Sequence, residues 1–331
     1  MTRIDFRFRA LWALPLLAVA VSACADASAP AEADVLVAHL EANAGYDVHG
    51  GFIINASEVR ANLVDGASQL VLDLRRPGDF AAGHVEGAVN VSVTDLADHL
   101  ATAVPAASTY ETIVLICYSG QSAAWAAGVL RAMGYENVRS MRWGMAAWHE
   151  DFAGVWVRNR TNVGVAEWVA EPAPAPDAVH APPMLATGLP DGPAILDARG
   201  RSVLAEGFLA VGMSPADVLA NPDALFIANV WPAELYRTAG HVPGAVNYDP
   251  AARPFLTTAR LRTLPPNRPV VLYCWTGQSS AYMAGYLRVL GYDARSLLFG
   301  TNGMIYDRMV ADGMGNAFDP AGDVMNYDYE M

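Results

Sequence analysis

The chain contains no lysine: all 21 of its positively charged residues are arginine. That absence excludes a Schiff-base lysine, a lysine general base and a phosphate-loop lysine. Positive charge of any kind is scarce, with 21 basic against 34 acidic residues and a net charge of -13. A nucleic-acid partner is not expected, because phosphate neutralisation needs a basic surface. Cysteine is rarer still, at 3 residues in 331, with no Cys-x-x-Cys pair and no histidine cluster. Neither a disulfide framework nor a metal centre is therefore expected, and no cofactor is implied. Only 17% of residues are charged while 53% are hydrophobic. Such a chain buries a sizeable core, and its length suggests two domains of about 150 residues each.

The first apolar run, from Ala10 to Val21 behind Arg3, Arg7 and Arg9, is too short to cross a bilayer, which takes about 20 residues. It reads as the core of a signal peptide over residues 1–23. The run ends at Val21-Ser22-Ala23-Cys24, which resembles the lipobox of bacterial lipoproteins. That resemblance implies cleavage before a diacylated Cys24 and a lipid anchor facing the periplasm, with Ala25 favouring the outer over the inner membrane. Ordinary cleavage after Ala23 is the alternative. Residues 24–44, which open on small and polar residues, read as a tether.

The remainder is one unit written twice. "GHVEGAVN" at 83–90 returns as "GHVPGAVN" at 240–247, and "IVLICYSGQSAAWAAGVLRAMGY" at 113–135 returns as "VVLYCWTGQSSAYMAGYLRVLGY" at 270–292, both at an offset of 157 residues. A period this long means duplicated domains, since solenoid repeats run to roughly 20–50 residues. The expected layout is one domain over 45–160, a Pro/Ala-rich linker region over 161–190, a second domain over 191–312 and a solvated acidic tail over 313–331. Within each unit short β-branched runs alternate with helical patterns, which predicts an α/β fold with a mostly parallel sheet flanked by helices. Leu70–Leu74, Ile113–Ile116, Leu225–Val230 and Val270–Tyr273 are the strand candidates. Helices are expected from Ser122 and Ser279, each stopped by a glycine, Gly134 and Gly291.

Cys117 and Cys274 hold equivalent places, each at the carboxyl end of a predicted strand, where α/β sheets bind ligands. Their loops run Tyr118-Ser119-Gly120-Gln121-Ser122 and Trp275-Thr276-Gly277-Gln278-Ser279. A short loop closing onto a helix N-terminus turns successive backbone N–H groups inward, and glycine permits the curvature. A nest of this kind stabilises an anion on or near the sulfur, so a thiolate nucleophile is the expected product. A Cys117–Cys274 disulfide and inert buried thiols are the competing readings.

Together these features resemble the rhodanese family of sulfurtransferases. The motifs that carry the resemblance are Asp73-Leu74-Arg75 with Asp79-Phe80, Gly83-His84-Val85, the two cysteine loops, and Trp143-Gly144-Met145-Ala146-Ala147-Trp148. The resemblance implies two tandem rhodanese-like domains and a ping-pong transfer of sulfane sulfur through a cysteine persulfide to a thiol, protein thiols included, or to cyanide. Rhodanese-fold phosphatases need Arg six residues after the cysteine, where this chain has Ala123 and Ser280. Family members that use thiosulfate well carry a basic residue inside the loop, whereas both loops here are uncharged and present Tyr118 and Trp275 as an aromatic wall. Arg75 is a candidate for steering an anion toward Cys117, with Asn229-Val230-Trp231 standing at the corresponding place of the second repeat. The alternative function is a non-catalytic persulfide-carrying or scaffolding protein at the cell envelope.

Overall fold

The computed structural model describes residues 31–43, 51–103, 109–171, 178–252, 255 and 258–331. The expected signal peptide and Cys24 lie outside the described residues. Each short β-branched run becomes a strand. In the first repeat β1 (Ile53–Ile54), β2 (Gln69–Asp73), β3 (Val89–Asn90), β4 (Thr112–Ile116) and β5 (Val138–Met141) form a sheet in the order β1-β5-β4-β2-β3. In the second, β6 (Gly212–Met213), β7 (Phe226–Asn229), β8 (Val246–Asn247), β9 (Val270–Tyr273) and β10 (Ala294–Leu297) repeat it as β6-β10-β9-β7-β8. All these pairings are parallel, with β2 and β4 in register from Gln69 opposite Thr112 to Asp73 opposite Ile116.

Because side chains alternate along a strand, each sheet buries apolar residues on both faces. Ile113 and Leu115 point into one cluster, and Val114 and Ile116 into another; Val270 and Leu272 alternate with Val271 and Tyr273 in the same way. The inner faces of the two sheets share a single core that includes Leu72, Leu115, Trp125, Leu272 and Tyr282.

The helices include α1 (Glu32–Ala42), α2 (Ala56–Asp65), α3 (Gln121–Ala132), α4 (Gly192–Glu206), α5 (Pro215–Ala220) and α6 (Gln278–Val289), of which α3 and α6 begin at the cysteine loops. The Ser214-Pro215-Ala216-Asp217 start of α5 is capped, with the Asp217 N–H donating to Ser214 Oγ at 3.1 Å. Helices α3 and α6 follow the cysteine loops and pack directly on each other in the shared core. Their approach is set by two glycines. A Cβ at Gly128 would stand 2.1 Å from the Tyr282 carbonyl, and one at Gly285 would stand 2.5 Å from that of Trp125.

Three expectations about the segments between and beyond the sheets are corrected. Residues 32–42 of the expected tether form α1, since Ala33, Leu36, Val37 and Leu40 recur at helical spacing and are buried. The helix packs on α4, and its Glu32 carboxylate accepts the Thr187 and Gly188 N–H groups at 2.8 Å each. These bonds favour the ionised form and hold that carboxyl below its ordinary value. The linker region also does not begin at residue 161 as a free spacer: the Gly164 N–H donates to Met304 O, and Val169 and His241 exchange backbone bonds. The acidic end, finally, is not a solvated tail. Phe318 is fully buried among Trp143 and Trp156, and Met325 and Tyr327 donate backbone N–H groups to Ala147 and Trp148.

Candidate active site

Both thiols sit one residue past a central strand, free and buried, at 2% exposure for Cys117 and 3% for Cys274. Gly120 and Gly277 adopt left-handed backbone, at φ 84° and 78°, which bends each loop onto its helix. At Cys117 the sulfur accepts N–H groups from Gly120 at 3.1 Å and Ala123 at 3.4 Å. At Cys274 it accepts the Ser280 N–H at 3.4 Å, with the Ser280 hydroxyl at 3.5 Å. Amides at a helix N-terminus present partial positive charge, so each nest is built to hold a sulfur anion.

A second turn seals each loop from behind. The Met145 N–H donates to Cys117 O at 2.9 Å and the Thr301 N–H to Cys274 O at 3.0 Å. Only glycine fits at the contact: a Cβ at Gly144 would lie 2.4 Å from Cys117 O, and one at Gly300 would lie 2.3 Å from Cys274 O. The residues just before them, Trp143 and Phe299, are left-handed without being glycine, at φ 63° and 59°. The Trp143–Trp148 element is thus placed against the Cys117 loop, with all three tryptophans of the region, Trp143, Trp148 and Trp156, buried. Trp156 Nε1 reaches the Ser119 carbonyl at 3.3 Å.

The other loop residues take distinct places. Gln121 Nε2 donates to Ser119 Oγ at 3.0 Å, and the Gln278 N–H donates to Thr276 Oγ1 at 3.1 Å. Ser122 and Ser279 are half-buried second residues of α3 and α6. Tyr118 donates its hydroxyl to the Asp79 carboxylate, and partial burial together with that bond pushes the phenol above its ordinary value. Trp275 is stacked on Trp231 with ring centroids 3.8 Å apart.

Arg75 does not steer anions. Its guanidinium is 3% exposed and bound to Asp73, with Nη2 at 2.7 Å from Oδ2 and at 2.6 Å from the Gly83 carbonyl. A buried arginine needs a carboxylate partner, and Asp73 two residues away supplies it, so its charge is neutralised where it stands. The second repeat builds the same strand-end turn without charge: Asn229 Oδ1 accepts the Trp231 N–H at 3.0 Å, as Asp73 Oδ1 accepts that of Arg75 at 2.9 Å. His84 and His241 bond backbone carbonyls through Nδ1 and stack on Phe80 and Tyr236.

Several contributors were not singled out from the sequence. Ser140 and Ser296 donate to the Gly120 and Gly277 carbonyls at 3.1 and 3.3 Å. Asn302 Nδ2 holds the Trp275 carbonyl at 2.7 Å while its Oδ1 accepts the Phe318 N–H at 2.8 Å. The equivalence of Arg139-Ser140 and Arg295-Ser296 in the two repeats was the available signal for the serines.

Comparison with known proteins finds the same family pattern in both repeats. The Rhodanese-like domain model matches residues 55–151 and 214–304. Thiosulfate sulfurtransferase GlpE of Pseudomonas entomophila is 33% identical over 101 residues, which is 30% of this chain and 87% of that protein. Thiosulfate sulfurtransferase PspE of Escherichia coli is 31% identical over 74 residues, covering 22% of this chain and 69% of that protein. Among solved structures, the 3-mercaptopyruvate sulfotransferase SseA of Escherichia coli is 17% identical, covers 77% of this chain and 99% of its own, and has a TM-score of 0.28. With the family pattern present twice and a cysteine loop built in each copy, the chain belongs to the rhodanese-like domain family.

Proposed function

We propose that this protein is a sulfurtransferase with two cysteine sites, carried by rhodanese-like domains at residues 45–160 and 191–312. The observation that carries the reading is the setting of each buried sulfur at a helix N-terminus, where two backbone N–H groups reach Cys117 and the Ser280 N–H and hydroxyl reach Cys274. The cysteine thiolate attacks the outer sulfur of a sulfane donor; a new S–S bond forms, the donor's S–S bond breaks, and its electron pair leaves with the remainder, sulfite in the case of thiosulfate. The nest then holds the persulfide anion, and burial shields it from water. An acceptor thiolate or cyanide takes the terminal sulfur and returns the electron pair to the cysteine. Thiosulfate sulfurtransferase relatives support this reading over a scaffold alone.

Since Arg75 is neutralised and both loops are uncharged, the donor is selected without cationic help from the loop, and sulfane compounds less charged than thiosulfate suit the aromatic wall of Tyr118 and Trp275. Intact mass after separate exposure to thiosulfate, polysulfide and mercaptopyruvate tests the chemistry. The native protein gains one sulfur per active cysteine, and Cys117→Ser/Cys274→Ser gains none. Full turnover by the double variant would overturn the assignment.

The lipobox-like Val21–Cys24 segment supports an envelope location, with the soluble part held at a membrane facing the periplasm, the outer membrane favoured. Expressed in a bacterium, the protein partitions into membranes and Cys24→Ala releases it; a mature N-terminus beyond residue 24 without lipid rejects the anchor.

A further inference from the structure

Gln278 opens α6 directly behind the Cys274 loop, yet its side chain bonds to the other repeat. Oε1 accepts the Trp143 N–H at 3.0 Å. Nε2 lies 3.3 Å from the Gly120 carbonyl, 3.3 Å from that of Met141 and 3.5 Å from Ser140 Oγ. The side chain is 2% exposed, and a Cβ on Gly120 would come within 2.3 Å of Nε2, so the glycine makes room for it.

These are the atoms that shape the Cys117 nest. Gly120 donates its own N–H to the sulfur while its carbonyl meets Gln278. Trp143 holds an unfavourable left-handed backbone immediately before Gly144, the residue pressed against Cys117 O. Its N–H bond to Gln278 fixes that turn. The reverse contact is less one-sided: Gln121 Oε1 accepts the Phe299 N–H at 2.7 Å, but its Nε2 stays on Ser119 in its own loop.

We infer that Gln278 is a positioning residue for Cys117, so that the second domain holds the first domain's sulfur nest in register. The inference rests on the sulfur-transfer reading above and adds to it that one site depends on a side chain from the opposite domain. Backbone amides placed by such contacts govern reactivity steeply, because small displacements of a preorganised donor cost large factors in rate.

The test compares Gln278→Leu in two single-cysteine backgrounds, Cys274→Ser and Cys117→Ser, reading both kcat/KM for sulfur transfer and the rate of alkylation by iodoacetamide. A residue acting only on global stability lowers both sites alike. Positioning predicts a loss of about tenfold at Cys117 and less than about threefold at Cys274. Gln278→Met keeps the length and volume while removing both polar atoms; it gives the same ordering, and it carries the comparison if Gln278→Leu does not fold. Equal losses at the two cysteines, or a larger one at Cys274, overturn the inference. If the parent proteins form no persulfide with any donor, the sulfur-transfer reading fails, while the alkylation rates still decide whether Gln278 shapes the Cys117 nest.

Discussion

One difference between the two thiols is a hydroxyl group. Six residues after Cys274 stands Ser280, whose hydroxyl lies 3.5 Å from the sulfur and 2.8 Å from Ser296 Oγ; in the first repeat the place is Ala123. Ser296 donates to the Gly277 carbonyl at 3.3 Å, which leaves the Ser280 proton shared between Ser296 and the sulfur. A hydrogen bond this long, with its proton shared, contributes on the order of 1 kcal/mol, below the range for an undivided bond to an anion, so Ser280→Ala should slow alkylation of Cys274 about fivefold, measured in the Cys117→Ser background. An unchanged or faster rate counts against the hydroxyl. At this scale the places of the two sulfurs were legible, because the repeat set each cysteine between a strand and a glycine-bent helix start. The fate of Arg75 was not, since the spacing to Asp73 shows that the two are near but not that the pair is buried and closed by the Gly83 carbonyl.

Between elements, the decisive contact is the crossing of α3 and α6. Gly128 and Gly285 are interior helix positions, where glycine costs roughly 1 kcal/mol relative to alanine, so their retention calls for a packing reason. The carbonyls of Tyr282 and Trp125 supply it. Gly128→Ala and Gly285→Ala should each lower stability by about 1–3 kcal/mol in denaturant titrations, the cost of overpacking a close contact. Gly78→Ala, where a Cβ meets nothing within 4 Å, serves as the control and should change stability by less than about 0.5 kcal/mol. The four central strands and the starts of α3 and α6 were legible to within one residue, whereas α4, the longest helix, and the short outer strands were not singled out. Helix α1 carried its own signal, the spacing of Ala33, Leu36, Val37 and Leu40, but a composition of small and polar residues just before it reads as a spacer until α4 is seen to cover the stripe.

Across the whole molecule, the chain end returns to the first domain. Trp143 Nε1 donates to Asp323 at 3.0 Å, Trp148 Nε1 to the Asp328 carbonyl at 2.9 Å, and Glu330 pairs with His84 through reciprocal backbone bonds. Phe318 anchors the segment, buried against Trp143 and Trp156 at centroid distances of 5.2 and 5.5 Å. Phe318→Ala should therefore cost about 3–5 kcal/mol, read from chemical or thermal unfolding, although it lies outside both family-matched regions. A loss below about 1 kcal/mol would return the segment to a loosely attached end.

The division between what the chain wrote locally and what the fold decided follows from the range of each interaction. Alternating apolar runs, glycine stops, the duplicated cysteine loops and the acidic, lysine-free composition are local or repeated, so the sequence by itself determined a doubled parallel α/β fold with one thiol at the same strand end of each copy. The partners of those loops are not local: the Trp143 N–H meets a glutamine 135 residues away, and Trp143 Nε1 meets an aspartate 180 residues away. Hydrogen bonds and buried aromatic contacts at such separations leave no periodic trace in a single chain, because they depend on how two sheets share one core. Only the tertiary structure decided that Arg75 is neutralised, that the acidic end is packed, and that a side chain of one domain reaches into the cysteine loop of the other.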